Sequence, residues 1–240
     1  MRQAGGMLAA VLNLLDQKVE AGMSGRDAAR LASDELKRLG GEPSFLGYQG
    51  FPDVICISTN DAVVHGIPTD TEFQDGDVVG FDFGVTVNGM ITDSAFTKIV
   101  GGTESAEKDV QRLVKQTEAA LMAGIDRVTN GARSGDIAAT IQKVLDGARL
   151  GIVRELVGHG VGHELHEEPN FPNYGTAGTG PMIKTGMTIA LEPMATLGHH
   201  TVAVDRDGWT IRSQDKSLAA HFEHTILVTD DTAEILTARS

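Results

Sequence analysis

The stretch Val78-Val-Gly-Phe-Asp-Phe-Gly-Val-Thr-Val-Asn-Gly-Met-Ile-Thr-Asp-Ser-Ala-Phe96 constrains this chain most, because it reads as two apolar strands around Asn88-Gly89. Asn-Gly is the strongest short-range signal for a two-residue hairpin turn. Val87 then pairs with Met90, and counting outward sets Asp82 opposite Ala95. Asp93 lies two residues from Ala95, so the two aspartates share one face as diagonal neighbours, roughly 7–8 Å apart. Aspartate is depleted in strands, and Asp82 stands between Phe81 and Phe83 in a strand too apolar to be half exposed. A buried carboxylate needs a partner.

The same tension recurs at Glu192, inside Thr188-Ile-Ala-Leu-Glu-Pro193, and at Glu223, flanked by His221-Phe222 and His224-Thr-Ile-Leu-Val228. A strand carboxylate usually faces solvent, and that reading is open to each of the four taken alone. Together, four acids in apolar, strand-like surroundings point to cations. With one histidine added, the set carries the charge that two divalent ions balance. Oxygen-dominated ligation with one nitrogen suits Mn, Fe, Co or Zn rather than a thiolate-bound structural metal. Two such ions about 3.5–4 Å apart can hold a bridging hydroxide and polarise a carbonyl.

Histidines are concentrated in Gly158-His-Gly-Val-Gly-His-Glu-Leu-His-Glu-Glu-Pro169. His163-Glu164-Leu165-His166 invites comparison with the zinc-protease signature H-E-x-x-H, whose histidines sit four apart on one helical face. Here the spacing is three, and Gly158, Gly160, Gly162 and Pro169 all oppose a regular helix. Which of these side chains touches a metal stays open at this level.

Helix signals cover residues near 2–22, 24–39 opened by Ser24 and stopped by Gly40-Gly41, about 103–123 from Thr103, and 134–149 opened by Ser134. Strand signals fall at Val54–Thr59, Val78–Val85, Met90–Val100, Met187–Ala195, Thr201–Ser213, His221–Thr229 and Ala233–Thr237. Strands adjacent in sequence suggest hairpins rather than alternating βαβ units. Slid on itself by 110 positions, Ser24-Gly-Arg-Asp-Ala-Ala-Arg-Leu31 lies over Ser134-Gly-Asp-Ile-Ala-Ala-Thr-Ile141, and Asp82 lies over Glu192. Such an echo implies two similar halves meeting across a pseudo-twofold axis, with the two carboxylates facing a shared cleft.

A net charge of −13 disfavours nucleic-acid binding, which needs clustered Lys and Arg. No run approaches the roughly eighteen consecutive apolar residues of a membrane span, and no secretory signal opens the chain. The expected location is the cytoplasm. The single cysteine, Cys56, excludes an internal disulfide and is expected to be packed rather than reactive.

Several collinear stretches carry a family likeness: Met1-Arg-Gln-Ala4, Leu46-Gly-Tyr-Gln-Gly-Phe-Pro52, Cys56-Ile-Ser-Thr-Asn-Asp-Ala-Val-Val-His-Gly-Ile-Pro68, the Asp82 to Asp93 hairpin, Gly158-His-Gly-Val-Gly162, Leu165-His-Glu-Glu-Pro169, Glu192-Pro-Met194, Asp207-Gly-Trp-Thr210 and Glu223-His-Thr-Ile226. On these the chain resembles the type I methionine aminopeptidases of the pita-bread fold. The resemblance implies an α/β (α+β) architecture and a single catalytic domain over 1–240. Its pseudo-symmetric halves, about 1–110 and 111–240, would surround a curved, mainly antiparallel sheet.

Carried over by position, the resemblance makes Asp82, Asp93, His159, Glu192 and Glu223 the ligands of two divalent ions, with Co, Mn, Fe and Zn all admissible. It makes Glu192 the proton acceptor and later donor, His166 the group that stabilises the tetrahedral oxyanion, and His65 a contact to the substrate backbone on the leaving side. Tyr48, Phe51, Cys56, Leu165 and Trp209 would form the apolar pocket for a methionine side chain, joined by His65 and His166 in binding substrate. His163, Glu164, Glu167 and Glu168 are expected to bind no metal.

Leu165 and Phe51 stand where the family commonly carries an aromatic and a tyrosine, which bears on substrate range. The chain also starts inside the family's first helix. The implied activity is removal of the initiator methionine from nascent polypeptides with a small second residue, by a monomer with at most transient ribosome contact. Two alternatives share the fold: an X-Pro dipeptidase or aminopeptidase P relative, which usually carries a further N-terminal domain, and a pita-bread binding protein that has lost its metals.

Overall fold

The computed structural model describes residues 1–239. Helix α1 (Arg2–Lys18) ends short of residue 22, because Val19 turns extended and Gly22 adopts a left-handed φ of 89°. Helix α2 (Gly25–Leu39) is bounded as the sequence suggests. The Ser24 hydroxyl accepts the Asp27 amide, the Asp27 carboxylate accepts the Ser24 amide, and Gly40 closes the helix in the left-handed region. Strands β1 (Glu42–Pro43), β2 (Cys56–Thr59) and β3 (Ala62–Val64) lead into the long hairpin β4 (Val78–Val87) and β5 (Met90–Ile99).

In that hairpin Val87 pairs with Met90 and Asp82 with Ala95, the register counted from the sequence. Asn88 and Gly89 take φ values of 51° and 74°, both left-handed as a type I′ turn requires. Phe81 and Phe83 turn to the core and are fully buried, which leaves Asp82 on the opposite face. Helix α1 packs Leu8, Leu12 and Leu15 into that core, over β4 and β5.

The second half repeats the pattern with helices α3 (Lys108–Ile125) and α4 (Ser134–Gly147). The expected start at Thr103 is only a short 3-10 turn over Thr103–Ser105. Ser134 does not cap α4; Arg133 holds the cap position, with its amide donating to the Asp136 carboxylate. Strands β6 (Gly151–Ile152), β7 (Gly158–Gly160), β8 (Glu167–Phe171), β9 (Thr188–Leu191), β10 (Met194–Thr196), β11 (Val202–Val204), β12 (Ile211–Ser213), β13 (Ala219–His221), β14 (Glu223–Val228) and β15 (Ala233–Ile235) follow.

All strand pairs are antiparallel. The main sheet runs β1-β4-β5-β14-β9-β7-β8, with β2 against β4 and β15 against β14, and two three-stranded sheets, β13-β10-β6 and β11-β12-β3, flank it. Two stretches read as single strands are each divided between sheets. Met187–Ala195 breaks at Glu192-Pro193, where proline cannot donate to a ladder, and His221–Thr229 breaks at Phe222, whose amide donates to the Pro193 carbonyl. Thr201–Ser213 is likewise two strands, joined by a turn through Gly208.

The echo has a counterpart in backbone hydrogen bonds, offset by 110 residues at Phe73 and Ile183 and by one fewer at the helix starts. Gly22 donates to Phe73 and Phe73 to Met23; Gly131 donates to Ile183 and Ile183 to Ala132. Gly76 donates to Val100 and Gly186 to Val228, each glycine at φ 91°.

Candidate metal centre

Five neighbouring strands of the main sheet supply the acids and the histidine. Asp82 lies on β4, Asp93 on β5, Glu223 at the start of β14, Glu192 directly after β9, and His159 on β7. The register aligns them: Asp82 pairs with Ala95, Ala95 with Glu223, and His159 with Ala190, two residues before Glu192. Glu192 and Glu223 thus sit where the chain crosses from one sheet to another.

Hydroxyls fix this crossing. Thr225 Oγ1 accepts from the Asp93 amide and donates to its carbonyl, while Ser94 Oγ donates to the Glu223 carbonyl at 2.6 Å. Asn173 donates to the Glu192 carbonyl. Gly158 is required for the approach of β7, since a Cβ there would meet the Ala190 carbonyl oxygen at 2.5 Å.

One ligand atom from each of Asp93, His159 and Glu223, all buried, lies within 4.8 Å of the others. His159 sits with Nδ1 2.8 Å from the Gly160 carbonyl. If it donates there, Nε2 is left unprotonated, as a metal-bound imidazole needs. Among the described residues, Asp82 Oδ1, Asp93 Oδ1, Glu223 Oε1 and His221 Nε2 are buried without a hydrogen-bond partner. Orphaned polar atoms of this kind are rare and costly. A set of carboxylates and one imidazole, with lone pairs turned to a common point, is the donor set of a divalent cation.

Without a cation, these charges repel. Burial pushes Asp82 up to about 7, and the charge of Glu192 adds to it. Burial also pushes Glu192 to about 7, against the pull of His159. Asp93 and Glu223 are raised well above the carboxylate range by burial and by the other acids. In metal-free protein the native state therefore holds protons that the unfolded chain releases above about pH 4, so stability falls as pH rises through that interval toward 7. Metal-free Glu192→Gln is expected to gain stability over metal-free wild type as pH goes from about 5 to about 8, by at most about 3 kcal/mol. The gap is read from melting curves of the two metal-free proteins at each pH. A gap independent of pH would refute it.

Every residue given a metal, catalytic or substrate role by the family resemblance lines one cavity of about 400 Å³. Phe51, Cys56 and Leu165 form a buried apolar cluster with Phe45, flanked by Tyr48 and Trp209; Phe51 meets Trp209 edge-on at 5.1 Å. Cys56 pairs with Asp82 across β2 and β4, and burial beside these carboxylates raises its thiol well above the ordinary value, which keeps it a packing group. His166 Nδ1 lies 2.8 Å from the Tyr48 hydroxyl, and its ring lies 4.3 Å from that of His159. His65 lines the cavity at φ 58°, and burial lowers its pKa to about 4.

Of the other residues of the histidine-rich stretch, Glu167 Oε1 accepts the amides of His163 and Glu164. It shapes the turn before β8 and lies off the cavity. Phe45 and His221 are among the residues missed from the sequence. Phe45 carried no motif. His221, 3% exposed with Nε2 3.5 Å from Glu192 and 3.8 Å from Glu223, stood beside a candidate acid and was read only as its flank.

Comparison with known proteins points the same way. The model of Metallopeptidase family M24 matches residues 1–230. A methionine aminopeptidase of Clostridium acetobutylicum is 40% identical over 238 residues, covering 99% of this chain and 94% of its own length. The crystal structure of methionine aminopeptidase from Thermotoga maritima aligns with a TM-score of 0.97 at 40% identity, over 100% of this chain and 95% of that one. Prolidase from Pyrococcus furiosus, 21% identical, shares the fold with a TM-score of 0.78, over 100% of this chain and 63% of its own. The antiparallel sheet, the acids gathered on its adjacent strands and these matches agree: the chain belongs to metallopeptidase family M24 and, within it, to the type I methionine aminopeptidases.

Proposed function

We propose that this single catalytic domain removes the N-terminal methionine of polypeptides whose second residue is small, using two divalent ions held by Asp82, Asp93, His159, Glu192 and Glu223. The observation that carries the reading is the convergence of the buried Asp93, His159 and Glu223 donor atoms in the lining of a cavity shared with an apolar cluster. Mn, Fe, Co or Zn would suit the donors. Bound there, such ions supply Lewis acidity to the scissile carbonyl and lower the pKa of water.

The chain's own groups do the rest. Glu192 takes the proton of the attacking water and returns it to the departing amine. His166, aligned by Tyr48, stabilises the oxyanion, and His65 holds the backbone on the leaving side. The methionine side chain enters the cluster of Phe51, Cys56, Leu165 and Trp209, beside Tyr48 and Phe45. The acids lining the cavity select a free α-amine and so limit cleavage to the first peptide bond. The substrates are nascent chains in the cytoplasm, met by a monomer whose charge of −13 keeps contact with the ribosome transient.

The metal-loaded protein is expected to cleave Met-Ala-Ser and to leave Ala-Pro-Ser intact. Preferential cleavage of the X-Pro peptide would replace this reading with the prolidase-like one. Binding of two metals with no cleavage of either peptide would leave a binding protein.

A further inference from the structure

His221 is a buried imidazole beside two of the acids, outside the roles proposed above. It ends β13, paired with Met194 of β10, and its backbone is held on both sides by Thr97. Thr97 Oγ1 donates to the His221 carbonyl at 2.8 Å and accepts the His221 amide at 3.0 Å. This double clamp fixes where the side chain starts. The imidazole then lies buried with Nε2 3.5 Å from Glu192 Oε2 and 3.8 Å from Glu223 Oε2. Both distances exceed a hydrogen bond, yet no hydrogen-bond partner reaches this nitrogen.

A buried N–H costs free energy until it finds an acceptor. Glu192 is the nearer candidate. Its carbonyl is fixed by Asn173, and its other carboxylate oxygen, Oε1, lies 3.5 Å from His159 Nε2. A small rotation of the carboxylate brings Oε2 onto His221 while Oε1 stays on the His159 side.

We propose that His221 is a positioning residue for Glu192, donating Nε2–H to Oε2 and so presenting Oε1 toward the metal position beside His159. The proposal rests on the ligand assignment made above. It differs from ligation by His221 itself, which would require an unprotonated Nε2 and a cation on the histidine side of Glu192. Groups that orient a metal ligand typically set metal affinity by about 10–100-fold, and that range is the effect expected here.

The test titrates Mn(II) into the full-length metal-free protein by calorimetry and records the visible spectrum of the Co(II) form. His221→Leu removes the donor and should weaken Mn(II) binding by about 10–100-fold. His221→Gln keeps an N–H donor and should return affinity to within about threefold of wild type, with an unchanged Co(II) spectrum. Wild-type affinity in His221→Leu would overturn the proposal. A Co(II) spectrum altered in both variants would also overturn it, by showing direct ligation. If His221→Leu does not fold, His221→Gln decides alone: near-wild-type affinity supports the role, and a loss of about tenfold or more overturns it. Absence of Mn(II) binding in wild type would instead strike at the ligand assignment.

Discussion

Asp93→Asn is expected to lower kcat/KM for Met-Ala-Ser by about 1,000-fold or more. A catalytic cation contributes several kcal/mol of charge stabilisation, and each 1.36 kcal/mol is tenfold. Asp93 belongs to the tightest group of donors, within 4.8 Å of His159 and Glu223. Asparagine keeps the shape but replaces one acceptor oxygen with an NH₂ donor that a cation repels.

The same substitution should raise the melting temperature of the metal-free protein near neutral pH. It removes one of the buried acids whose mutual repulsion and burial push Asp93 well above the carboxylate range. Activity and metal-free stability therefore move in opposite directions, which a general folding defect cannot produce. Metal content equal to wild type in Asp93→Asn would show that this carboxylate is not a ligand.

His166→Ala is expected to cut kcat by about 100- to 1,000-fold, the effect of removing one oxyanion donor, and to leave metal content unchanged. The ring lies beside His159, so the two histidines are near enough for their roles to be exchanged, and metal analysis separates them. If His166→Ala loses metal, the assignment of the pair is reversed. Tyr48→Phe removes only the hydroxyl at 2.8 Å from His166 Nδ1. Its cost should stay within about tenfold, that of one hydrogen bond.

The Asp82–Asp93 arrangement was legible because it is local: an Asn-Gly turn fixes the register, and period-two alternation fixes the face. The capping of α2 was legible for the same reason. The positions of Glu192 and Glu223 were legible as anomalies, acids in apolar runs, but not as sheet crossings. The Pro193 carbonyl is engaged by Phe222, a contact between segments distant in sequence that no periodicity encodes. Strands β7 and β8 were hidden because Gly158-His-Gly160 and Glu167–Phe171 lack β-branched residues, and their pairing is again non-local. His159 was separated from its neighbours only by family resemblance, since spacing alone left the histidines equivalent. His221 escaped because its meaning lies in which oxygens face it across the sheets.

In the proposed function, catalysis depends on divalent ions held by the buried acids and His159. The most direct measurement strips the protein with a chelator, adds back Mn(II) in steps, and follows bound metal and Met-Ala-Ser cleavage on the same samples. Cleavage should be absent without metal, return with bound Mn(II), and stay about 1,000-fold or more below wild type in Asp93→Asn at every step. Full cleavage by protein shown to be metal-free, or no return of activity once the wild-type site is filled, would contradict it.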